Sequence, residues 1–290
     1  MAEPRAVKQL LELGLRVLED SSAIFDDHDS EAEARELLAK TLGVDEGDLE
    51  EAFEPSRRVR ERYLSLIARR AGGEPFPFLM GSINFYGLDL KVRVGPFIPR
   101  PSSELLVDRV LKRLGRRKSA VVVDVCTGQG PIALAIASEK PGIEVWGLDI
   151  DEHGIAQGRR NAKSHGLDVN FRTGDLFAPL PKRLHGSVDV ISAHVPYVAP
   201  HELEDLPAEV IEHEPIFTLS DDSIDGLSLM RRTVEESVAW LRPGGWLLLE
   251  LAEDLAPKVR KMCRKEGLDD NGIASDNDDL SVVVEARRPK

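Results

Sequence analysis

Val121-Val-Val-Asp-Val-Cys-Thr-Gly-Gln-Gly-Pro-Ile-Ala-Leu-Ala135 joins a run of buried-type strand residues to a helical run through a turn that holds Gly128 and Gly130. Glycine in such a turn lets a ligand approach the backbone, and the helix that follows aims its first N–H groups at that ligand. Working outward, strand-type runs recur at 120–125, 144–149, 188–193 and 245–251, with helical patterns between them at 131–140, 152–165 and 227–241. That alternation specifies an α/β fold, a Rossmann-like parallel sheet covered by helices, with ligands bound at the carboxyl ends of the strands. The final SVVVEARR, after the polar DNDD turn at 276–279, is expected to close the sheet as an antiparallel strand.

Upstream the texture changes. Residues 5 to about 72 show apolar positions at helical spacing, in Leu10, Leu11, Leu13, Leu15 and Val17, then in Ala34, Leu37, Leu38 and Leu42. Asp26, Asp27, Asp29 and Ser30 offer an N-cap to the second helix, and Gly43 a stop. From Gly72, glycine and proline punctuate short alternating runs such as Leu88, Leu90, Val92 and Val94, the pattern of a β-hairpin. The expected organisation is a helical N-terminal domain over 1–72, a β-hairpin linker over 73–101, and the α/β domain over 102–290.

Composition narrows the class. With 290 residues, 42% hydrophobic and 31% charged, the chain has the balance of a globular protein with a real core, and its length suggests two domains. The N-terminus mixes charges into its apolar residues and carries neither a signal peptide nor a membrane span, so a cytoplasmic location without membrane association is expected. Two cysteines, Cys126 and Cys263, lie far apart without metal-type spacing, which fits a reducing compartment. A formal net charge of -13 argues against nucleic acid as a partner; the basic clusters around Arg57–Arg62 and Lys112–Lys118 lack interleaved aromatics and read as solvated helix faces. His194, His201 and His213 show no ligand pattern, so no metal is expected. Trp146, Trp240 and Trp246 read as packing residues.

Three carboxylates follow strands around the glycine turn. Asp149 ends the second strand about twenty residues after it, where a carboxylate can accept both hydroxyls of a ribose. Gly128, Gly130 and Ala133 formally satisfy a dinucleotide fingerprint, so an NAD(P)-dependent oxidoreductase is a rival reading. Asp124, just before the turn, would repel a diphosphate and attract an ammonium group, which favours S-adenosylmethionine. Asp175 stands where an adenine amino group could be read, and Thr127 lies within the turn.

The chain resembles the family of protein-glutamine methyltransferases that modify peptide-chain release factors, over nearly its whole length. Phe97-Ile-Pro-Arg-Pro-Ser-Ser-Glu104 is similar to that family's Ile-Pro-Arg-Pro-x-Thr-Glu signature, and Asp124-Val-Cys-Thr-Gly-Gln-Gly130 to its cofactor loop, with Cys126 where a glycine is usual. The resemblance implies a class I methyltransferase domain that binds S-adenosylmethionine through Asp124, Thr127, Gly128, Gly130, Asp149, Asp175 and Arg100. Asp189-Val-Ile-Ser-Ala-His-Val-Pro-Tyr197 matches the position of the family's Asn-Pro-Pro-Tyr motif but carries His194 and Val195 in place of Asn and Pro.

That departure falls at the expected catalytic centre. An amide nitrogen is a poor nucleophile because its lone pair is delocalised, and the family holds the NH2 with acceptors that localise that pair. By resemblance Pro196 and Tyr197 keep their roles, and Glu214, in a Glu-Pro pair downstream, lines the substrate site together with His194, Val195, Pro196 and Tyr197. A neutral histidine offers one ring nitrogen as acceptor and can also take up a proton. The methyl acceptor is therefore a side-chain nitrogen of a protein or of a small molecule, a glutamine amide by resemblance, or the guanidino or amine nitrogen of a substrate such as arginine. The acidic loop Glu202, Glu204, Asp205, Glu209 and Glu212 could hold such a cation, though most of it reads as a solvated loop.

Overall fold

A computed structural model of the chain describes residues 5–24, 28–51, 54–275 and 281–290. The expected caps Asp26 and Asp27 and the DNDD turn at 276–279 lie outside the described residues. The chain falls into two compact units, one of residues 1–82 with 204–213 and one of 83–203 with 214–290.

The first unit contains α1 (Arg5–Glu19), α2 (Ser30–Leu42), α3 (Arg57–Ala71), α4 (Phe76–Met80) and α8 (Ala208–His213). Asp29 caps α2 by accepting from the Ala32 N–H at 2.9 Å, and Gly43 ends it at φ 75°. The buried face of α1 is Val7, Leu10 and Leu18, with Gly14 between them. Leu13 is exposed instead, because the helix turns towards the side on which Tyr63 comes close: a Cβ on Gly14 would sit 2.0 Å from the Tyr63 hydroxyl. Arg70, buried on α3, binds Glu33 of α2 through Nε at 2.7 Å and Glu209 of α8 through Nη1 at 2.9 Å.

In the second unit, β1 (Ser82–Phe85) and β2 (Leu88–Lys91) form a two-stranded hairpin, followed by α5 (Glu104–Leu114), β3 (Val121–Val125), α6 (Pro131–Glu139), β4 (Glu144–Asp149), α7 (Glu152–His165), β5 (Asn170–Thr173) and β6 (Val188–Ala193). After α8 come α9 (Ser228–Trp240), β7 (Leu241–Leu251), α10 (Ala256–Lys265), β8 (Asp269–Ser275) and β9 (Val282–Arg287). The seven-stranded sheet runs β5-β4-β3-β6-β7-β9-β8, parallel from β5 to β7 and antiparallel at β9 and β8. Successive strand residues face opposite ways: Val122, Val145, Val190 and Leu248 pack under α5, α6 and α7, while Val123, Leu148, Ile191 and Leu249 pack under α9 and α10.

The closing strand is antiparallel as expected; β5 and β8, short or mostly polar, had no apolar run to announce them. Trp146 belongs to the core, and Trp240 and Trp246 pack against it. No helix among the described residues is long and apolar enough to cross a membrane.

Candidate active site

From β3 the chain crosses over to β4 on one side, while β6 lies on the other. The carboxyl ends of β3 and β6 therefore flank the switch point of the sheet, where open α/β folds place ligands. Asp124 and Ser192 are register partners across these two strands, and the Ser192 hydroxyl donates to Asp124 Oδ1 at 2.8 Å. Thr127 donates to the other oxygen at 2.5 Å. Asp124 is buried, and burial pushes its carboxyl up to about 7, against the lowering effect of these two hydroxyls. It offers a cationic ligand its charge more than a vacant acceptor.

The turn itself explains its residue types. Cys126 stands at φ 55°, the left-handed backbone that favours the glycine usual here, and burial raises its thiol well above the ordinary range. At Gly130 an added Cβ would lie 2.5 Å from the Phe171 ring, so packing demands that glycine. At Gly128 it would meet nothing nearer than Phe97 Cβ at 3.9 Å, so one face of the backbone is open to a ligand. Asp149 accepts from the N–H groups of Gly128 at 2.7 Å and Asp151 at 2.8 Å, and burial raises its carboxyl. This open glycine backbone with a strand-end carboxylate beside it fits a nucleoside, and the buried Asp124 fits an ammonium group. Asp175 is exposed and pairs with Arg232 at 2.8 Å.

Past the end of β6, His194, Pro196 and Tyr197 are half-buried, whereas Val195 is part of the core. The His194 and Tyr197 rings lie 5.8 Å apart and within 21° of parallel, and Phe97 meets His194 edge-on at 5.7 Å. Tyr197 is pushed up to about 12, by burial first and then by the charge of Glu250, so its phenol keeps its proton near neutrality. Gly226 locks the loop from behind at φ 65°, where a Cβ would lie 2.3 Å from the Tyr197 carbonyl oxygen.

The Ile-Pro-Arg-Pro segment is tied to this centre. Arg100 pairs with the buried Glu214 and lies 4.5 Å over the Phe97 ring, and Glu214 also accepts from the Ile98 N–H at 3.1 Å. These two predicted site residues thus hold one another and set the wall on which Phe97 stands.

Two residues escaped the reading of the sequence. Gln129, within the glycine turn, accepts from the Arg93 N–H at 2.9 Å and donates to the Phe97 carbonyl at 3.0 Å, fastening the segment after the hairpin over the turn. Glu250, wholly buried in β7, faces His194: its Oε2 lies 3.5 Å from Nδ1. The signal for Glu250 was present, a lone carboxylate inside the apolar run Leu247-Leu-Leu-Glu-Leu251, because an acid in a doubly covered strand needs partners. Among the described residues no group of three or more His, Cys, Asp or Glu side chains could hold a metal ion. Glu202 accepts from the Ala199 N–H at 3.1 Å, and Glu209 from the acidic loop is the partner of Arg70.

Comparison with known proteins places this geometry. Residues 116–285 match the methyltransferase domain family. The release factor glutamine methyltransferase of Geobacter sulfurreducens is 36% identical over 253 residues, covering 87% of each chain. That of Burkholderia pseudomallei is 37% identical over 246 residues, covering 82% of this chain and 85% of its own. In fold the chain is similar to a methyltransferase from Pyrococcus furiosus, with a TM-score of 0.54 at 19% identity over 70% of this chain and 90% of that one. The dinucleotide reading of the turn is thereby set aside. With a cofactor turn that fits S-adenosylmethionine and relatives this similar over most of their length, the chain belongs to the family of release factor glutamine methyltransferases, S-adenosylmethionine-dependent N-methyltransferases.

Proposed function

We propose that the protein methylates the side-chain amide nitrogen of a glutamine in a peptide-chain release factor, with His194 acting where the family uses asparagine. The observation that carries the reading is the placement of His194, Pro196 and Tyr197 at the carboxyl end of β6, next to the cofactor turn at the end of β3. Bound S-adenosylmethionine supplies a sulfonium methyl group. Around it the protein positions the acceptor: the Phe97, His194 and Tyr197 rings form a wall for a planar amide, and His194 accepts a hydrogen bond from its NH2. As the nitrogen is alkylated it must lose a proton, and the His194 ring nitrogen that accepts its hydrogen bond is placed to take that proton up. Asp124, Thr127, Gly128, Gly130, Asp149 and Asp175 serve the cofactor, while Arg100 and Glu214 shape the wall.

The test is the pH dependence of methyl transfer to a release factor at saturating cofactor, so that proton uptake by Asp124 does not enter. A general base at His194 makes the wild-type rate fall on acidification, and His194→Asn, which installs the residue the family uses there, removes that limb. An unchanged pH profile in the variant overturns the role of His194 as base.

A further inference from the structure

Glu250 is a wholly buried carboxylate of β7 that neither the cofactor turn nor the wall employs. Its two oxygens have different lives. Oε1 accepts from three hydroxyls, Ser103 at 3.0 Å, Ser281 at 3.3 Å and Ser102 at 3.4 Å. Oε2 has no hydrogen-bond partner among the described residues, and what faces it is His194 Nδ1 at 3.5 Å. A buried carboxylate oxygen left without a donor is costly.

The network also decides where the ring proton sits. The single Ser103 hydroxyl hydrogen is committed to Glu250, so towards Nδ1, 3.3 Å away, the Ser103 oxygen can only accept. Glu250 Oε2 can only accept as well. Both neighbours therefore require hydrogen on Nδ1, which leaves Nε2, without a partner among the described residues, as the lone-pair nitrogen of the neutral ring. Asp124, Arg100 with Glu214, Tyr197 and Asp254 are further titratable groups around this centre: Asp124, Arg100 and Glu214 are engaged in the contacts given above, Tyr197 holds its proton, and the charge of Asp254 acts on Tyr197.

We propose that Glu250, braced by Ser102, Ser103 and Ser281, is a positioning residue that keeps the His194 proton on Nδ1, makes Nε2 the proton acceptor for methyl transfer, and pairs with the imidazolium that results. The inference rests on the proposed function. In the step itself the acceptor nitrogen's lone pair forms the new N–C bond, the S–C electron pair remains on sulfur, and the N–H proton passes to Nε2. The positive charge then on the ring lies against the orphaned Oε2. Nδ1–H already faces Oε2 in the neutral ring; the proton that arrives at Nε2 adds positive charge opposite this carboxylate, and that charge pairing favours the product side of the proton transfer.

The experiment uses the whole protein labelled with 15N in histidine, with neither cofactor nor acceptor added, at alkaline pH where imidazole is neutral; the His194 signals are identified by their absence in His194→Gln. The wild type shows hydrogen on Nδ1 and a bare Nε2. In Glu250→Gln the three serines hold the amide oxygen, the NH2 turns to Nδ1, and the hydrogen moves to Nε2. The same variant then loses about 10²-fold or more in kcat with little change in KM for S-adenosylmethionine, and that loss shrinks severalfold or more in a His194→Asn background. Hydrogen on Nε2 in the wild type, measured without any variant of Glu250, overturns the inference. So does a kcat loss of equal size in both backgrounds, which would make Glu250 purely structural. The expected ring state in a protein that transfers no methyl group to any release factor would overturn the proposed acceptor and leave the positioning of His194 standing.

Discussion

Single side chains carry the chemistry of this site, and Asp124 is the one whose state is most exposed to measurement. Its carboxyl, pushed up to about 7 by burial, holds a proton in the native protein that the unfolded chain, at the ordinary 3.8, would have released. Its contribution to the stability of the free protein is therefore full in acid below about 4 and is lost as pH rises through about 7. A cationic ligand favours the charged form, so binding expels the proton. Calorimetric titration with S-adenosylhomocysteine is expected to show affinity falling by up to about tenfold per pH unit below 7, with proton release, and Asp124→Asn to bind more weakly and without this slope. Persistence of the slope in Asp124→Asn would assign it to another group. Asp124, Asp149 and His194 were legible in the sequence because each ends or follows a recognisable strand. Glu250 showed only as a lone acid in an apolar run; its partner and that of Gln129 were not legible, because they lie 56 positions away at His194 and 32 at Phe97, and no local spacing records such contacts.

At the scale of elements, the site depends on segments held by close backbone approach. Gly226 lies against the loop that carries Pro196 and Tyr197, where a Cβ would fall 2.3 Å from the Tyr197 oxygen and 2.8 Å from the Ala199 nitrogen. Neither contact can yield by rotating a side chain. Gly226→Ala is expected to displace that loop and cut kcat by about 10²-fold, the penalty of a misplacement near 1 Å, while affinity for S-adenosylhomocysteine stays within a few fold. Equal losses in both would mean that the substitution disturbs the sheet ends as a whole. The sheet itself was readable from the alternation of apolar strands and helices, and its four clearest strands lie within a few residues of where the pattern put them. β8 escaped because Asp269–Ser275 is too polar to show a period, and β5, Asn170–Thr173, is too short to show one and was marked only by the strand-end acid Asp175. The face of α1 was misjudged for a related reason: a glycine, apolar by contact rather than by composition, takes the place of Leu13 in the packed stripe.

Across the whole molecule the chain leaves the sheet-bearing unit after Leu203, contributes residues 204–213 to the helical unit, and returns at Glu214, directly into the wall of the site. Arg70 secures that excursion through Glu209 and, on α2, through Glu33. Removing one member of a buried ionic cluster leaves the remaining charges uncompensated, so Arg70→Met is expected to cost about 3 kcal/mol within the helical unit. Hydrogen exchange would then rise in α2 and in 204–213 while the strands of the sheet keep their protection; unchanged exchange in 204–213 would show that Arg70 does not secure the segment. The acidic character of 202–212 was plain in the sequence, but which acid has a buried partner depends on a contact between α3 and α8, far apart in the chain. The central claim, methyl transfer to a glutamine amide, is tested most directly by incubating the protein and S-adenosylmethionine with an unmodified release factor and mapping the product by tandem mass spectrometry. One methyl group on a glutamine side-chain nitrogen, absent when His194→Ala replaces the wild type, is the predicted result. A release factor that stays unmodified while a guanidino or amine compound is methylated under the same conditions would contradict it.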